Sequence, residues 1–171
     1  IANFGGNLIG PFYAVFVENI GGSILDIGYS TTVFSIAAGI LMIAIGKISD
    51  KLNKEFITIF GYLLYALGSL GYLLIQNPWQ LFVLQIVFAV AVACLSAPLN
   101  ALYAKFIQKN QEGLQWGLDN GGTMIVVGFA VLAGTFITDQ WGFKTLFLSM
   151  FLIQILATLV QTKLYFEARK N

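Results

Sequence analysis

The chain has 171 residues, of which 58% are hydrophobic and 10% are charged, and its formal net charge is +1. Soluble domains carry about 25% charged residues to cover their surface, so this composition excludes an ordinary soluble fold and indicates folding in lipid. One cysteine and no histidine exclude an internal disulfide, histidine catalysis and a zinc-protease motif. The small net charge argues against a nucleic-acid partner. The sequence therefore indicates no catalytic group, metal site or cofactor.

Six apolar stretches are long enough to cross a bilayer core of about 30 Å, which needs roughly 20 apolar residues per helix. Pro11 is expected to kink the first helix, and Pro78 is expected to start the fourth. Residues 1–171 are thus predicted to form a single all-α membrane domain of six transmembrane helices. The predicted helices are residues 1–17, 28–46, 56–75, 79–104, 114–138 and 143–166.

Basic residues cluster on the segments that six spans would place on one side of the membrane. The segments after the second, fourth and sixth helices carry Lys47, Lys51, Lys54, Lys105, Lys109, Lys163, Arg169 and Lys170. The other side carries one basic residue, Lys144, together with the acidic residues Glu18, Asp26 and Asp139. Because basic loops stay in the cytoplasm, both termini are predicted to be cytoplasmic, in a protein of the cell membrane.

Small residues recur every four positions on two of the predicted helices. The fourth helix carries Ala89, Ala93, Ala97 and Ala101, and the start of the fifth carries Gly113, Gly117 and Gly121. Such ladders let helix backbones approach closely in lipid, so both are expected to line helix contacts.

The basic segment after the second helix has a distinctive sequence, GKISDKLNK at residues 46–54. It resembles the loop G-x-x-x-D-R/K-x-G-R/K between helices 2 and 3 of the major facilitator superfamily. Asn53 stands where that family usually has Gly, and Asn tolerates a positive φ better than most residues. The matching residues are Gly46, Asp50, Lys51 and Lys54.

Other segments are similar to the family in the expected order. Gly28 and Ser30 open the second helix, and residues 141–144, WGFK, follow a glycine-bearing fifth helix. Besides Asn53, three features depart from the family pattern: in the fourth helix Gln85 replaces an Arg and Ala89 replaces a Gly, and the fifth helix lacks the expected Pro.

The resemblance implies one half of a twelve-helix transporter, built from two inverted three-helix repeats. It implies secondary active transport of a small solute by alternating access, either as part of a twelve-helix protein or as a homodimer. Residues 46–54 are then expected to form a cytoplasmic gate, in which Asp50 pairs with a cation or with a helix N-terminus of the other half. The alternative is a solvated loop that only sets the topology.

Polar residues share one face of the first helix and one face of the fourth when drawn at 100° per residue. Since the resemblance implies that these two helices line the cavity, we expect this set to contact the solute; hydrogen bonds between helices are the alternative. Tyr13 and Gln154 are weaker candidates for contact with the solute than the residues of this set. The candidates are Asn3, Asn7, Gln85, Ser96, Asn100 and Tyr103.

Asp119 lies one to two turns into the fifth helix. A charge within a span costs about 2.5–3.5 kcal/mol on insertion scales, so such residues usually face a bundle interior or a wet cavity. Asp119 is therefore the candidate for proton coupling, and the alternative is an acid near the membrane surface at the positive end of the helix.

The loss of the Arg in the fourth helix and of the Pro in the fifth keeps a second hypothesis open for the whole chain. It is a non-transporting assembly or regulatory subunit built on a degenerate half.

Overall fold

A computed structural model describes residues 1–168, and this part of the chain is all-α. Arg169 and Lys170, two of the basic residues used for the orientation, lie outside the described residues. A 3₁₀ turn, Tyr72–Leu74, directly follows the helix that ends at Gly71. The helices are α1 Ala2–Gly6, α2 Phe12–Asn19, α3 Ile24–Ser49, α4 Lys54–Gly71, α5 Pro78–Ala104 and α6 Glu112–Ala168.

The helices α3, α4 with its 3₁₀ turn, α5 and α6 are each long and apolar enough to cross a membrane. Helix α6 has 57 residues, which at 1.5 Å per residue would extend about 85 Å if straight, nearly three times a bilayer core. It is not straight, because Gly142 has the non-helical angles φ 75° and ψ 176°. A first arm, residues 112–141, and a second arm, residues 143–168, are therefore each long enough to span.

The predicted first helix is divided into two short helices, α1 and α2, rather than only kinked. Pro11 is the N-cap residue of α2, where a missing N–H costs nothing, and Gly10 has a positive φ of 29°. This break packs directly on α6, since a Cβ atom at Gly134 would overlap the carbonyl of Leu8, whose side chain is fully buried. The absence of a side chain at Gly134 is what permits this approach.

Side-chain caps fix where two of the long helices begin. Ser23 and Asp26 form a capping box at the start of α3, in which the Ser23 N–H donates to Asp26 Oδ2 at 2.7 Å. At the start of α4, Asn53 Oδ1 accepts from the Phe56 N–H at 3.0 Å. Asn53 has a negative φ of −69°, so the expectation that Asn is present here because it tolerates a positive φ is wrong. Its side chain acts as the N-cap of α4 instead.

An aromatic cluster joins α2, α4, α5 and the second arm of α6 at the end of the bundle opposite residues 46–54. The Tyr72 ring stacks on Phe147 with centroids 4.7 Å apart, and Phe16 meets Phe147 edge-on at 4.9 Å. Phe88 of α5 lies 5.4 Å from Tyr72. These four side chains are nearly inaccessible, so they hold this end of the bundle together.

The two ladders of small residues have different surroundings. On α5, Ala89 and Ala93 are fully buried, and a Cβ atom at Gly46 of α3 would lie 3.6 Å from Ala97 Cβ. The alanine ladder therefore faces neighbouring helices, as predicted.

The glycine ladder on the first arm of α6 does not contact another helix within the described residues. A Cβ atom added at any of its three glycines would have no atom within 4 Å, and the same holds for Gly28 and Gly39 of α3. The expected contact for Gly113, Gly117 and Gly121 is thus absent from residues 1–168, because this part of α6 lies at the edge of the bundle.

Candidate functional site

A cavity of about 570 Å³ lies between α1, α4, α5 and both arms of α6. Its volume is within the range of about 300–1,000 Å³ that is usual for small-molecule sites. Five of the six predicted cavity residues line it, and so does the predicted proton-coupling residue. These are Asn3, Asn7, Ser96, Asn100, Tyr103 and Asp119.

Two asparagines one turn apart place α1 against the cavity. Asn3 Nδ2 donates to Thr123 Oγ1 of the first arm of α6 at 3.1 Å, and Asn7 Nδ2 donates to the Asn3 carbonyl at 2.8 Å. The amide N–H groups thus tie α1 to α6 and to itself, while both amide oxygens are left without a donor in the described part of the chain.

Gln154 of the second arm is the most deeply buried polar residue of the cavity, with 2% of its surface exposed. Its Nε2 donates to the Ala2 carbonyl at 3.0 Å, but its Oε1 has no hydrogen-bond partner. Gly5 permits this packing, because a Cβ atom there would lie 2.8 Å from Ile153 Cγ2. A buried acceptor without a partner is unusual in a protein interior and suggests a ligand or water there.

Three tyrosines line the cavity from α4 and α5. The Tyr65 hydroxyl lies 3.5 Å from the Gly6 carbonyl, and the Tyr103 hydroxyl donates to the Gln115 carbonyl at 2.9 Å. The Tyr103 ring also meets Trp116 edge-on, with centroids 5.1 Å apart. Tyr62 and Tyr65 were missed by the sequence analysis, although their spacing of three residues places them on one face of α4.

Asn3, Asn100 and Asp119 are the exposed polar residues of the cavity. Ser96 lies one turn before Asn100 on α5, and neither side chain makes a hydrogen bond among residues 1–168. Asp119 lies seven residues after the start of α6 and forms no ion pair with another described residue. Asp119 is exposed and lines the cavity, so it faces the cavity and not the packed interior of the bundle.

The predicted gating segment joins α3 to α4 through a small charged network. Asp50 Oδ1 lies 3.2 Å from Lys54 Nζ, which also donates to the Ser49 carbonyl at 2.9 Å. The Lys54 side chain is 16% exposed and that of Asp50 is 76% exposed, so the carboxylate is still open to a further partner. Lys51 is exposed beside it.

The family model of the Major Facilitator Superfamily matches residues 1–171, which is the whole chain. The chain belongs to the major facilitator superfamily. It is therefore an integral membrane protein of a family whose members move small solutes across lipid bilayers and are not enzymes.

Two relatives within the superfamily differ in length. The chain is 24% identical over 165 residues to the uncharacterized MFS-type transporter YitZ of Bacillus subtilis, and the match covers 94% of this chain and 98% of that relative. It is 23% identical over 156 residues to the uncharacterized MFS-type transporter MJ1560 of Methanocaldococcus jannaschii, covering 91% of this chain and 40% of that relative. The chain therefore spans nearly all of the bacterial relative and less than half of the archaeal one.

Gln85, the sixth predicted cavity residue, does not line the cavity. It is 8% exposed, and its Nε2 donates to the Tyr13 hydroxyl at 2.8 Å; that hydroxyl lies 2.7 Å from Ser30 Oγ. Gln85 shares a helix face with Ser96 but lies eleven residues away, about 16 Å along the axis. At that depth α2 covers the face, so Gln85 links helices instead of facing a cavity.

Proposed function

We propose that the chain is one six-span half of a secondary active transporter, which moves a small solute through the cavity by alternating access. The observation that carries the proposal is a ligand-sized space lined by amides, hydroxyls and one carboxylate inside a strongly apolar bundle. Polar groups within a membrane are costly and usually mark a solute or ion pathway.

The proposed topology has six spans, which are α1 with α2, then α3, α4, α5 and the two arms of α6. The first three and the last three would form the inverted repeats that are typical of such transporters. The asymmetry of basic residues supports cytoplasmic termini, with residues 46–54 on the cytoplasmic side, and the cell membrane is the proposed location.

A second half is needed to close the cavity, and we propose that a second copy of the chain supplies it. The relative that matches over 98% of its own length supports the existence of half-size chains in the superfamily. The uncovered glycines of α3 and of the first arm of α6 offer a surface for close helix contacts. The two copies would be related by a two-fold axis along the membrane normal.

The segment 46–54 is the proposed cytoplasmic gate. Because Asp50 is mostly exposed, its carboxylate is free to bind a helix N-terminus or cation of the other half in one access state. Contacts made in only one state bias the equilibrium between states.

Labelling of a single cysteine from each side of the membrane separates this proposal from a non-transporting subunit. Ser96→Cys would be treated with a membrane-impermeant maleimide in right-side-out and in inside-out vesicles. A transporter is labelled from both sides, whereas a static subunit is labelled from one side or from neither.

The chain offers matched controls for this experiment. The natural Cys94 is 5% exposed and is expected to stay unlabelled, so the unmodified chain measures the background. Lys51→Cys and Asp139→Cys are each expected to react from one side only, and from opposite sides.

A further inference from the structure

The charged side chains that line the cavity indicate the sign of the charge on its ligand. Asp119 is the charged side chain on its wall, and no Lys or Arg of residues 1–168 lines it. The basic residues of the chain lie instead on the predicted membrane-surface segments. An anion would therefore meet an uncompensated carboxylate and no cation, while a cation would meet a complementary charge.

Asn3, Asn7 and Gln154 each donate one amide N–H to a protein acceptor, and the hydroxyls of Tyr65 and Tyr103 donate as well. Each amide nitrogen keeps a second N–H, so the amides can serve a ligand as donors or as acceptors. The Asp119 carboxylate makes no hydrogen bond within residues 1–168, and a carboxylate only accepts.

Gln154 Oε1 is a buried acceptor without a partner, on a side chain that lines the cavity. Because this oxygen has almost no accessible surface, a rotation of the side chain is needed to bring it to a ligand that donates a hydrogen bond. A ligand with N–H donors would then satisfy both Gln154 Oε1 and the Asp119 carboxylate.

The remaining wall suits an aromatic or aliphatic body. Tyrosine rings attract cations through their faces, and Tyr62, Tyr65 and Tyr103 surround the cavity. Val92, Leu95 and Leu99 of α5 provide the apolar part of the wall.

We propose that the cavity binds an organic cation with N–H donors, such as an aromatic amine, with Asp119 as the counter-charge and Gln154 Oε1 as an acceptor. This rests on the proposed function, because it names the solute class of the same cavity.

Binding of two dyes of opposite charge to the purified chain of 171 residues in detergent tests this inference. Ethidium is an aromatic cation with two amino groups, and fluorescein is an aromatic anion of similar size. Fluorescence polarisation is expected to show ethidium binding at least about tenfold tighter than fluorescein. Asp119→Asn is expected to weaken ethidium binding about tenfold or more, since it removes only the charge.

Two further variants keep the result interpretable. Asp139→Asn removes a carboxylate that does not line the cavity and should leave ethidium binding unchanged. Gln154→Leu should weaken ethidium binding, and its folding is checked separately by size-exclusion chromatography. Tighter binding of fluorescein, equal loss in the Asp119 and Asp139 variants, or binding of neither dye overturns the inference.

These outcomes are separable from failure of the proposed function. If Ser96→Cys is labelled from both sides but the anion is preferred, the transporter proposal stands and the cation assignment is wrong. If Ser96→Cys is never labelled from both sides, the transporter proposal fails whatever the dyes do.

Discussion

The buried hydroxyl of Tyr13 allows a quantitative test of how α2, α3 and α5 are held together. Ser30 Oγ donates to the Ile27 carbonyl at 3.0 Å, so its single proton is used. The Tyr13 hydroxyl must then donate to Ser30 and accept from Gln85. Tyr13→Phe removes both of these bonds and leaves the Gln85 amide buried without its partner.

The expected destabilisation follows from these two losses. A single hydrogen bond between membrane helices is worth about 0.6 kcal/mol on average and at most about 1.7. An orphaned buried amide adds a desolvation cost of about 1–3 kcal/mol in soluble proteins. We therefore expect Tyr13→Phe to lower the free energy of unfolding by about 1–3 kcal/mol.

Unfolding by sodium dodecyl sulfate in mixed micelles measures this change. The matched control is Tyr29→Phe on α3, whose side chain is 58% exposed and which should change the free energy by less than about 0.5 kcal/mol. Adding Gln85→Leu to Tyr13→Phe should recover part of the loss, because the orphaned amide is then gone. Equal stability of the two Tyr→Phe variants would refute the assignment of the Tyr13 hydroxyl as donor to Ser30 and acceptor from Gln85.

Three other substitutions test separate parts of the structure. Gly134→Ala places a Cβ atom against the Leu8 carbonyl and should lower the free energy of unfolding of the monomer in detergent by about 1–3 kcal/mol. Gly128→Ala, whose Cβ atom would have no atom of the described residues within 4 Å, should not destabilise that monomer. Equal melting temperatures would contradict the close approach. Asp50→Asn should cost less than about 1 kcal/mol, since the Asp50 side chain is 76% exposed and Lys54 keeps its bond to the Ser49 carbonyl. It should nevertheless change the ratio of cytoplasmic to external labelling of Ser96→Cys. Asp119→Asn should abolish accumulation driven by a proton gradient, and unchanged accumulation would mean that another group carries the proton.

The sequence predicts the apolar segments well because lipid imposes one requirement on all of them, which is about 20 residues without charge. It also marks helix starts, as at Pro78, where the ring is pre-organised for the first turn. The complete break at Gly10 is harder to predict. Glycine permits a positive φ without requiring it, and here the close packing on Gly134 accompanies it.

The cavity was predicted in part because helical phase gives the face of a residue but not its depth. Ser96 and Gln85 share a face of α5, but Ser96 lines the cavity whereas Gln85 is covered by α2 and bonds to Tyr13. The sequence does not show where α2 lies, so it could not separate the two roles. Tyr62 and Tyr65 of α4 enter the cavity through tertiary packing, for which the sequence carries only the weak signal of their spacing. The glycine ladder likewise indicates close contact without saying whether the partner helix lies in the same chain.

Uptake by the chain reconstituted alone in proteoliposomes tests the central claim most directly, namely that solute passes through this cavity. Uptake of a panel of organic cations, anions and sugars would be measured for three proteins: the unmodified chain, Ser96→Trp and Val83→Trp. The first Trp would fill the cavity, whereas the second lies on the exposed side of α5. We predict saturable uptake of a panel member that is lost in Ser96→Trp and kept in Val83→Trp. Uptake that survives in Ser96→Trp, or none of any solute by a folded chain, would contradict the account.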